Sequence, residues 1–230
     1  MQPNIQTAGQ PPSTLALQQN RVLRNTYLLL AISLIPTVIG AFVGVQINFA
    51  FMAKSPLMAF LLFLAVAWGC MWGIQKNKDS GLGVALLLGF TFLMGVMLGP
   101  ILQVSLSFRN GVMLIATAAS ATSIIFFALA GLATVTKKDF SFLGKFLFIG
   151  VILILVAMLA NIFLQLPALS LTISVVAVLI FSAYILYDVS RIVTGGQTNY
   201  IMATLSIYLD IYNLFVHLLR LLMVFAGQRD

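Results

Sequence analysis

The chain has 230 residues, of which 61% are hydrophobic and only 7% are charged, and its mean hydropathy is +1.10. A soluble domain of this size needs many more charged side chains to cover its surface, so the composition indicates a polytopic membrane protein. The net charge of +7 does not predict nucleic-acid binding, because the basic residues separate apolar runs and form no patch. The single cysteine, Cys70, excludes a disulfide framework within one chain.

The N-terminal segment is polar and predicts a tail. Residues 1–20 are rich in Gln, Pro, Ser and Thr, a composition typical of disorder. We expect no cleavable signal peptide, because the first apolar run is too long for a signal sequence and is not followed by a small-residue cleavage site. The predicted organisation is a disordered tail over 1–24, a membrane domain over 25–225 and a short C-terminal tail over 226–230.

Long apolar runs follow one another from the end of this tail. A spanning helix needs about 20 residues, so the uncharged stretch 146–187 must hold two helices, with the turn at Leu166-Pro167. The last span contains Asp210, His217 and Arg220, which leaves open a six-span version with a re-entrant final segment. The predicted fold class is an all-α polytopic membrane protein with seven transmembrane helices, at 26–47, 56–74, 81–104, 111–135, 145–165, 169–191 and 199–224.

The basic residues predict the orientation. With seven spans, one side holds Arg21, Arg24, Lys76, Lys78, Lys137, Lys138, Lys145 and Arg191, and the other holds Lys54, Arg109, Arg220 and Arg229. Positive charges accumulate on the cytoplasmic side of membrane proteins. The N-terminus is therefore expected in the cytoplasm and the C-terminus outside.

Small residues predict close helix contacts. Gly40/Gly44 and Gly95/Gly99 are GxxxG pairs in spans one and three, and span four contains a run of small residues over 116–123. Such faces let helix backbones approach closely. An alternative for span four is a substrate path lined by Ser120 and Thr122. Pro36 and Pro100 are expected to kink their helices.

Span seven carries one polar stripe. Ser206, Asp210, Asn213, His217 and Arg220 follow one another at intervals of three or four residues, which is one face of a helix. In a membrane this stripe must face protein or water. Span seven is therefore predicted to lie at the centre of the bundle, with the other spans around it.

Asp188 and Asp210 are acids within apolar runs, and such residues are candidates for function. Their helices form an antiparallel hairpin, although the sequence places the two acids at different depths. If they meet, they would share one proton, and its loss would drive the helices apart and offer oxygen ligands to Ca²⁺. We therefore predict a cation- and proton-sensing site at Asp188 and Asp210, supported by Arg191, Ser206, Asn213 and His217.

Structural explanations of the same residues stay open. Asp188 could instead lie at the membrane interface and pair with Arg191, three residues later. Asp210 could be a hydrogen-bonded contact between helices, and His217 a packed histidine. The aromatic residues near the pair are expected to be core or interface packing: Tyr187, Tyr208, Tyr212 and Phe215.

Several stretches resemble the Bax-inhibitor (transmembrane Bax inhibitor motif) family, over about four-fifths of the chain. Finer features resemble its bacterial branch, the YccA-like modulators of FtsH protease: VLRNTY (22–27), ANIFLQLPALSL (160–171) and GGQTNYI (195–201). The family-level matches are GFTFLMGVMLGPIL (89–102), KKDFSFLGKFLF (137–148), SAYILYDVSRIV (182–193) and YIMATLSIYLDIYNLFVHLLRLL (200–222).

The resemblance implies a seven-helix fold with a central last helix, no enzymatic activity and no cofactor, in a bacterial inner membrane. The branch implies a protein that restrains the membrane protease FtsH through direct interaction. The alternative is a pH-gated Ca²⁺ leak, because Asp188 and Asp210 occupy the positions of the aspartate pair in leak-type members of the family. An enzyme is not expected, since the sequence has no HExxH, GxSxG or P-loop motif.

Overall fold

The structure, a computed structural model, describes residues 12–50 and 54–227. Seven helical spans are long and apolar enough to cross a membrane, and α3 and α4 together make the third. The main helices are α1 Pro12–Gln46, α2 Pro56–Lys76, α3 Gly81–Met97, α4 Gly99–Leu106, α5 Gly111–Thr136, α6 Leu143–Leu164, α7 Pro167–Val193 and α8 Tyr200–Gly227.

The seven predicted spans are confirmed. The final segment is one uninterrupted helix of 28 residues, α8, which excludes the six-span version. At 1.5 Å per residue α8 is about 42 Å long, enough to cross the whole hydrocarbon core. An odd number of spans puts the ends of the bundle on opposite sides. We call these the N-terminal face, where α1 and α8 begin, and the C-terminal face, where they end.

The N-terminal segment corrects one prediction. Helix α1 already begins at Pro12, so residues 12–24 are helical and not the disordered tail predicted for 1–24. Proline is well tolerated in the first helical turn, where its missing N–H has no partner to lose. Val22 is only 9% exposed and belongs to the main core cluster. Residues 1–11 lie outside the described part of the chain, as do 228–230 of the predicted C-terminal tail.

Two prolines coincide with helix boundaries. Pro100 is the second residue of α4, and the third span is interrupted at Leu98, immediately before that helix. Pro167 is the first residue of α7, and Gln165 makes the preceding turn with a φ of 50°. Pro36, by contrast, lies within α1, which is continuous there, and the predicted kink remains a prediction.

The GxxxG pairs of spans one and three pack against each other, as predicted. A Cβ atom added to Gly40 would overlap the Phe92 carbonyl oxygen, and one added to Gly95 would overlap the Thr37 carbonyl oxygen. The backbones of α1 and α3 therefore touch without intervening side chains. Only glycine permits so close an approach.

Only part of the small-residue run over 116–123 of α5 faces a helix contact, because five of its eight residues are exposed on the outside of the bundle. Ala118 is fully buried, and the Thr122 hydroxyl donates a hydrogen bond of 2.7 Å to the Ala118 carbonyl of its own helix. Ser120, two residues before Thr122, is exposed on the outside of the bundle. Because the two residues face different directions, they do not line a common substrate path.

Helix α8 is central, as predicted. It contacts α1, α2, α3, α4, α5 and α7, and its fully buried side chains include Ile207, Leu214 and Leu219. Within the described chain α6 is the exception, because it packs on α7 and α2 and does not reach α8. Five of the six other spans therefore surround α8, and the side of α8 that faces α6 is less closely packed.

A candidate proton- and cation-sensing site on the last two helices

Asp188 and Asp210 lie on the two helices of one antiparallel hairpin. Asp188 precedes the end of α7 at Val193 by five residues, and Asp210 follows the start of α8 at Tyr200 by ten. This difference corresponds to about 7 Å along the hairpin. Helical side chains lean toward the N-terminus of their own helix. Since α7 and α8 run in opposite directions, the two side chains lean toward each other and reduce the offset.

The structure brings the two carboxyl groups together. The side chains of Asp188 and Asp210 are close enough for each carboxyl group to act on the other. Asp210 is only 5% exposed, and its Oδ2 atom is buried without a hydrogen-bond partner in the described part of the chain. An ionised carboxylate has no hydrogen to donate, so a bond between the two groups requires one shared proton. The two acids therefore lie at the contact between α7 and α8, where the sequence predicts the candidate site.

The residues around the pair differ in how they take part. Ser206 lies close enough to Asp188 to act on its carboxyl group, and Tyr184 is near enough to interact electrostatically with both acids. Arg191 also acts on Asp188 through its charge. Its direct contacts are elsewhere, because its guanidinium donates to the Gly196 carbonyl at 3.3 Å and lies over the Tyr187 ring. Asp188 and Arg191 therefore make no direct ion pair in the described structure, although the Arg191 charge acts on Asp188.

The remaining predicted site residues lie farther along α8. The Asn213 amide donates a hydrogen bond of 2.8 Å to the Leu209 carbonyl of its own helix. His217 is 4% exposed, lies 3.4 Å from the Ser174 hydroxyl through Nδ1, and stacks on Phe181. The stripe is real, but only Ser206 and Asp210 of its members reach Asp188. His217 matches the structural explanation, a packed histidine.

Two residues that hold the site in place were not predicted as such. Tyr208 is 1% exposed, and its hydroxyl joins α8 to α1 through Thr37 Oγ1 at 2.9 Å and to α3 through the Thr91 carbonyl at 3.3 Å. Ser190 is fully buried and binds the loop between α5 and α6, since it accepts from Phe140 N and donates to the Lys138 carbonyl, both at 3.0 Å. A buried tyrosine hydroxyl needs a hydrogen-bond partner, so a tyrosine on the central helix could have indicated the bonding role of Tyr208.

The pair offers oxygen atoms to a cation but does not form a metal cage. In the described ranges, no group of three or more His, Cys, Asp or Glu side chains is placed to hold a metal ion. Ca²⁺ usually takes six to eight oxygen ligands. The acids could therefore supply only part of a coordination shell, and water or backbone carbonyls would have to supply the rest.

Comparison with known proteins identifies the family. The family model described as inhibitor of apoptosis-promoting Bax1 matches residues 19–227. Escherichia coli modulator of FtsH protease YccA is 41% identical over 209 residues, which cover 91% of this chain and 92% of that protein. A membrane protein of Vibrio cholerae is 42% identical over 90% of each chain. A Neisseria meningitidis protein is 39% identical over 92% of this chain and 94% of its own.

The family model covers every helix from the first buried turn of α1 to the end of α8. The relatives include proteins that are named as membrane proteins, in agreement with the seven spans. The chain belongs to the Bax-inhibitor family of membrane proteins.

Proposed function

We propose that this protein modulates an FtsH-type membrane protease and restrains its proteolysis through direct interaction. The observation that carries the proposal is the 41% identity to Escherichia coli YccA, whose name is modulator of FtsH protease, over nearly the full length of both chains. The fold is compatible with this role, because a closely packed seven-helix bundle resists extraction from the membrane. The proposal requires no catalytic residue in this chain.

Helix α1 provides a contact surface for such a partner. Its 35 residues give a length of about 52 Å, whereas the hydrocarbon core of a bilayer is about 30 Å thick. One end must therefore project, and among the described side chains of α1 the buried positions begin at Val22. With the N-terminus in the cytoplasm, as the positive-inside rule favours, the projecting turns and the polar residues 1–11 would be presented to a cytoplasmic protease domain.

The test measures FtsH-dependent proteolysis. The full-length protein is overproduced in a bacterium, and the half-life of an FtsH substrate is followed by pulse-chase; we expect the half-life to lengthen. Deleting residues 2–11 leaves α1 intact from Pro12 and should reduce the increase in half-life. Replacing these residues by a Gly/Ser sequence of equal length shows whether the protease needs their sequence or only their length. Co-purification with FtsH tests whether the contact is direct. Unchanged half-lives with full-length and truncated proteins would overturn the proposal.

The contact between Asp188 and Asp210 favours a second function, a pH-gated Ca²⁺ leak. Removal of the shared proton would leave two negative charges together in a low-dielectric site. Their repulsion would separate α7 from α8 and expose carboxylate oxygens to a hard cation. Both functions could reside in one protein, because the acid pair lies inside the bundle and the proposed protease contact lies at its surface.

Reconstituted liposomes test the leak. Ca²⁺ flux should change between about pH 6 and pH 8 in the wild type, and Asp210→Asn should abolish that change because an amide bonds to Asp188 without a titrating proton. Asp139→Asn is the matched control, since Asp139 is an exposed acid on the loop between α5 and α6. Flux that is absent, or that is equally affected by both variants, would remove the leak.

A further inference from the structure

Arg220 is a cation in a membrane span for which the described part of the chain provides no ion-pair or hydrogen-bond partner. It lies near the C-terminal end of α8 and lines two adjoining cavities of about 420 and 510 Å³. No carboxylate or other acceptor of the described chain forms an ion pair or hydrogen bond with it. A guanidinium carries five N–H donors, and a charge at this depth needs a partner. An acceptor from outside the described protein is therefore required.

The wall of the smaller cavity provides further hydrogen-bond donors. Asn161 uses its Oδ1 atom to accept from Leu166 N at 3.0 Å, which leaves the two N–H donors of its amide available. Ser170 also lines this cavity, in the first turn of α7, where the backbone N–H groups of a helix terminus add positive potential. The cavity combines a cation with uncharged donors and no carboxylate. This chemistry selects an anion.

The positive charge of the C-terminal face also favours the binding of an anion. In the described part of the chain, all four acids lie toward the other face: Asp79, Asp139, Asp188 and Asp210. The described cations of the C-terminal face are Lys54, Arg109 and Arg220. Lys54 precedes Pro56, a residue of the cavity wall, by two positions. The field at the cavity is therefore positive, and no described acid on this face opposes it.

The shape of the site favours a lipid over a small soluble anion. Helix α6 packs closely on α7, makes only a small contact with α2 and does not reach α8, and the cavity opens between α2 and α6, whose residues line it. The walls around Arg220 are otherwise apolar and are formed by Phe60, Phe63, Met158, Ile162 and Ile173. Apolar walls contribute nothing to a free anion, whereas they can contact acyl chains. The combined cavities also fall within the usual range of small-molecule sites, about 300–1,000 Å³.

We propose that the groove between α2, α6, α7 and α8 is a binding site for the phosphate group of an anionic phospholipid, taken from the leaflet at the C-terminal face. Arg220 binds the phosphate oxygens, and Asn161 and Ser170 donate further hydrogen bonds. The acyl chains lie against the apolar walls and leave through the gap between α2 and α6. The site is independent of the proposed protease modulation and of the acid pair.

The test uses the purified full-length protein and native mass spectrometry, with phosphatidylglycerol, phosphatidylcholine and inorganic phosphate titrated separately. We expect Arg220→Gln to weaken phosphatidylglycerol binding about tenfold, and Arg220→Lys to weaken it less, because lysine keeps the charge but loses the bidentate fork. Arg109→Gln, a cation of the same face outside the groove, should stay within about twofold of the wild type. Ser170→Ala should cause a loss of about threefold without changing any charge.

Circular dichroism and the thermal transition without added lipid show whether each variant folds; should Arg220→Gln not fold, Ser170→Ala and Arg220→Lys carry the test. Equal phosphatidylglycerol binding by the wild type and every folded groove variant would overturn the proposal, because Arg220 would then only extend toward the interface. Inorganic phosphate binding as tightly as the lipid would overturn the lipid source. Equal binding of phosphatidylcholine would overturn the preference for an anionic headgroup.

Discussion

Near the N-terminal face, Asp210 lies beside Asp188 inside the protein. Near the C-terminal face, Arg220 lines a cavity and contacts no described carboxylate. Both residues belong to the same polar stripe on α8. A polar group in a membrane needs a partner from protein, water or lipid. The stripe thus has a closed end, where the partner is a neighbouring helix, and an open end, where the partner must enter from outside.

Packing explains why the two ends differ. At the closed end, α8 is held against α1 and α3 by Tyr208, and the loop between α5 and α6 is bound by Ser190. Asn199 adds a bond of 2.8 Å to Asp79 at the same face. At the open end, α6 stays away from α8 and leaves the cavities around Arg220. The closed end, with Asp210, therefore suits a response to a proton, and the open end, with Arg220, suits the binding of a ligand.

The largest expected effect comes from opening the closed end at the α1–α3 contact. Gly95→Leu would drive a side chain into the Thr37 carbonyl and separate the helix that carries the Tyr208 partner. We expect a loss of about 3 kcal/mol in the free energy of unfolding, measured in detergent micelles. Gly89→Leu is the matched control on the same helix, because its Cβ would meet open space. Equal losses in the two variants would contradict the close contact.

A double-mutant cycle tests whether the acid pair is one unit. Asp188→Ala and Asp210→Ala each leave the other acid without its partner, so we expect a coupling free energy of about 1–2 kcal/mol. Asp210→Ala combined with Arg220→Gln supplies the comparison, because these residues lie at opposite ends of the stripe, about 15 Å apart along α8. Their effects should add within about 0.5 kcal/mol. Additive effects for the aspartates would show that they do not interact.

A smaller effect is expected from the Tyr208 hydroxyl. Tyr208→Phe removes its bonds to Thr37 and to the Thr91 carbonyl, and should lower the free energy of unfolding by about 1 kcal/mol. Tyr212→Phe is the control one turn later, where the hydroxyl makes no hydrogen bond within the described chain and the ring lines the open-end cavity. A loss for Tyr212→Phe as large as that for Tyr208→Phe would contradict the assigned bonds.

The sequence was sufficient to predict the spans and the central position of α8, and it singled out Asp188 and Asp210 as the acids of a candidate site. Length and hydropathy determine spans locally, and the spacing of Asp210, Asn213 and His217 determines a helix face. Contact between Asp188 and Asp210 could not be predicted, because residue counting gave an offset in depth and the opposite leaning of two side chains has no sequence signal. The open groove at Arg220 was also beyond prediction, since it depends on where α6 packs.

The smallest expected effect concerns an acid that neither end of the stripe uses. Asp139 is fully exposed on the loop between α5 and α6, where hydrogen bonds from the Ser141 hydroxyl and then from its backbone N–H lower the pKa of Asp139 below its ordinary value. A lowered pKa in the folded state stabilises the protein at neutral pH, and this contribution is lost as the pH falls through the folded value. Asp139→Ala should therefore cost a little stability at pH 7, less than Tyr208→Phe.

Thermal unfolding at pH 7 and pH 3 measures this difference. The gap between the wild type and Asp139→Ala should be widest at pH 7 and should narrow toward pH 3. Asp139→Asn is the matched variant, because its side-chain oxygen still accepts the 2.8 Å bond from Ser141 N but does not titrate. Its stability relative to Asp139→Ala should stay constant with pH. If the stability difference between the wild type and Asp139→Ala widened on acidification, the lowered pKa of Asp139 would be contradicted. Asp139 could then no longer serve as the water-exposed control for the buried Asp188 and Asp210.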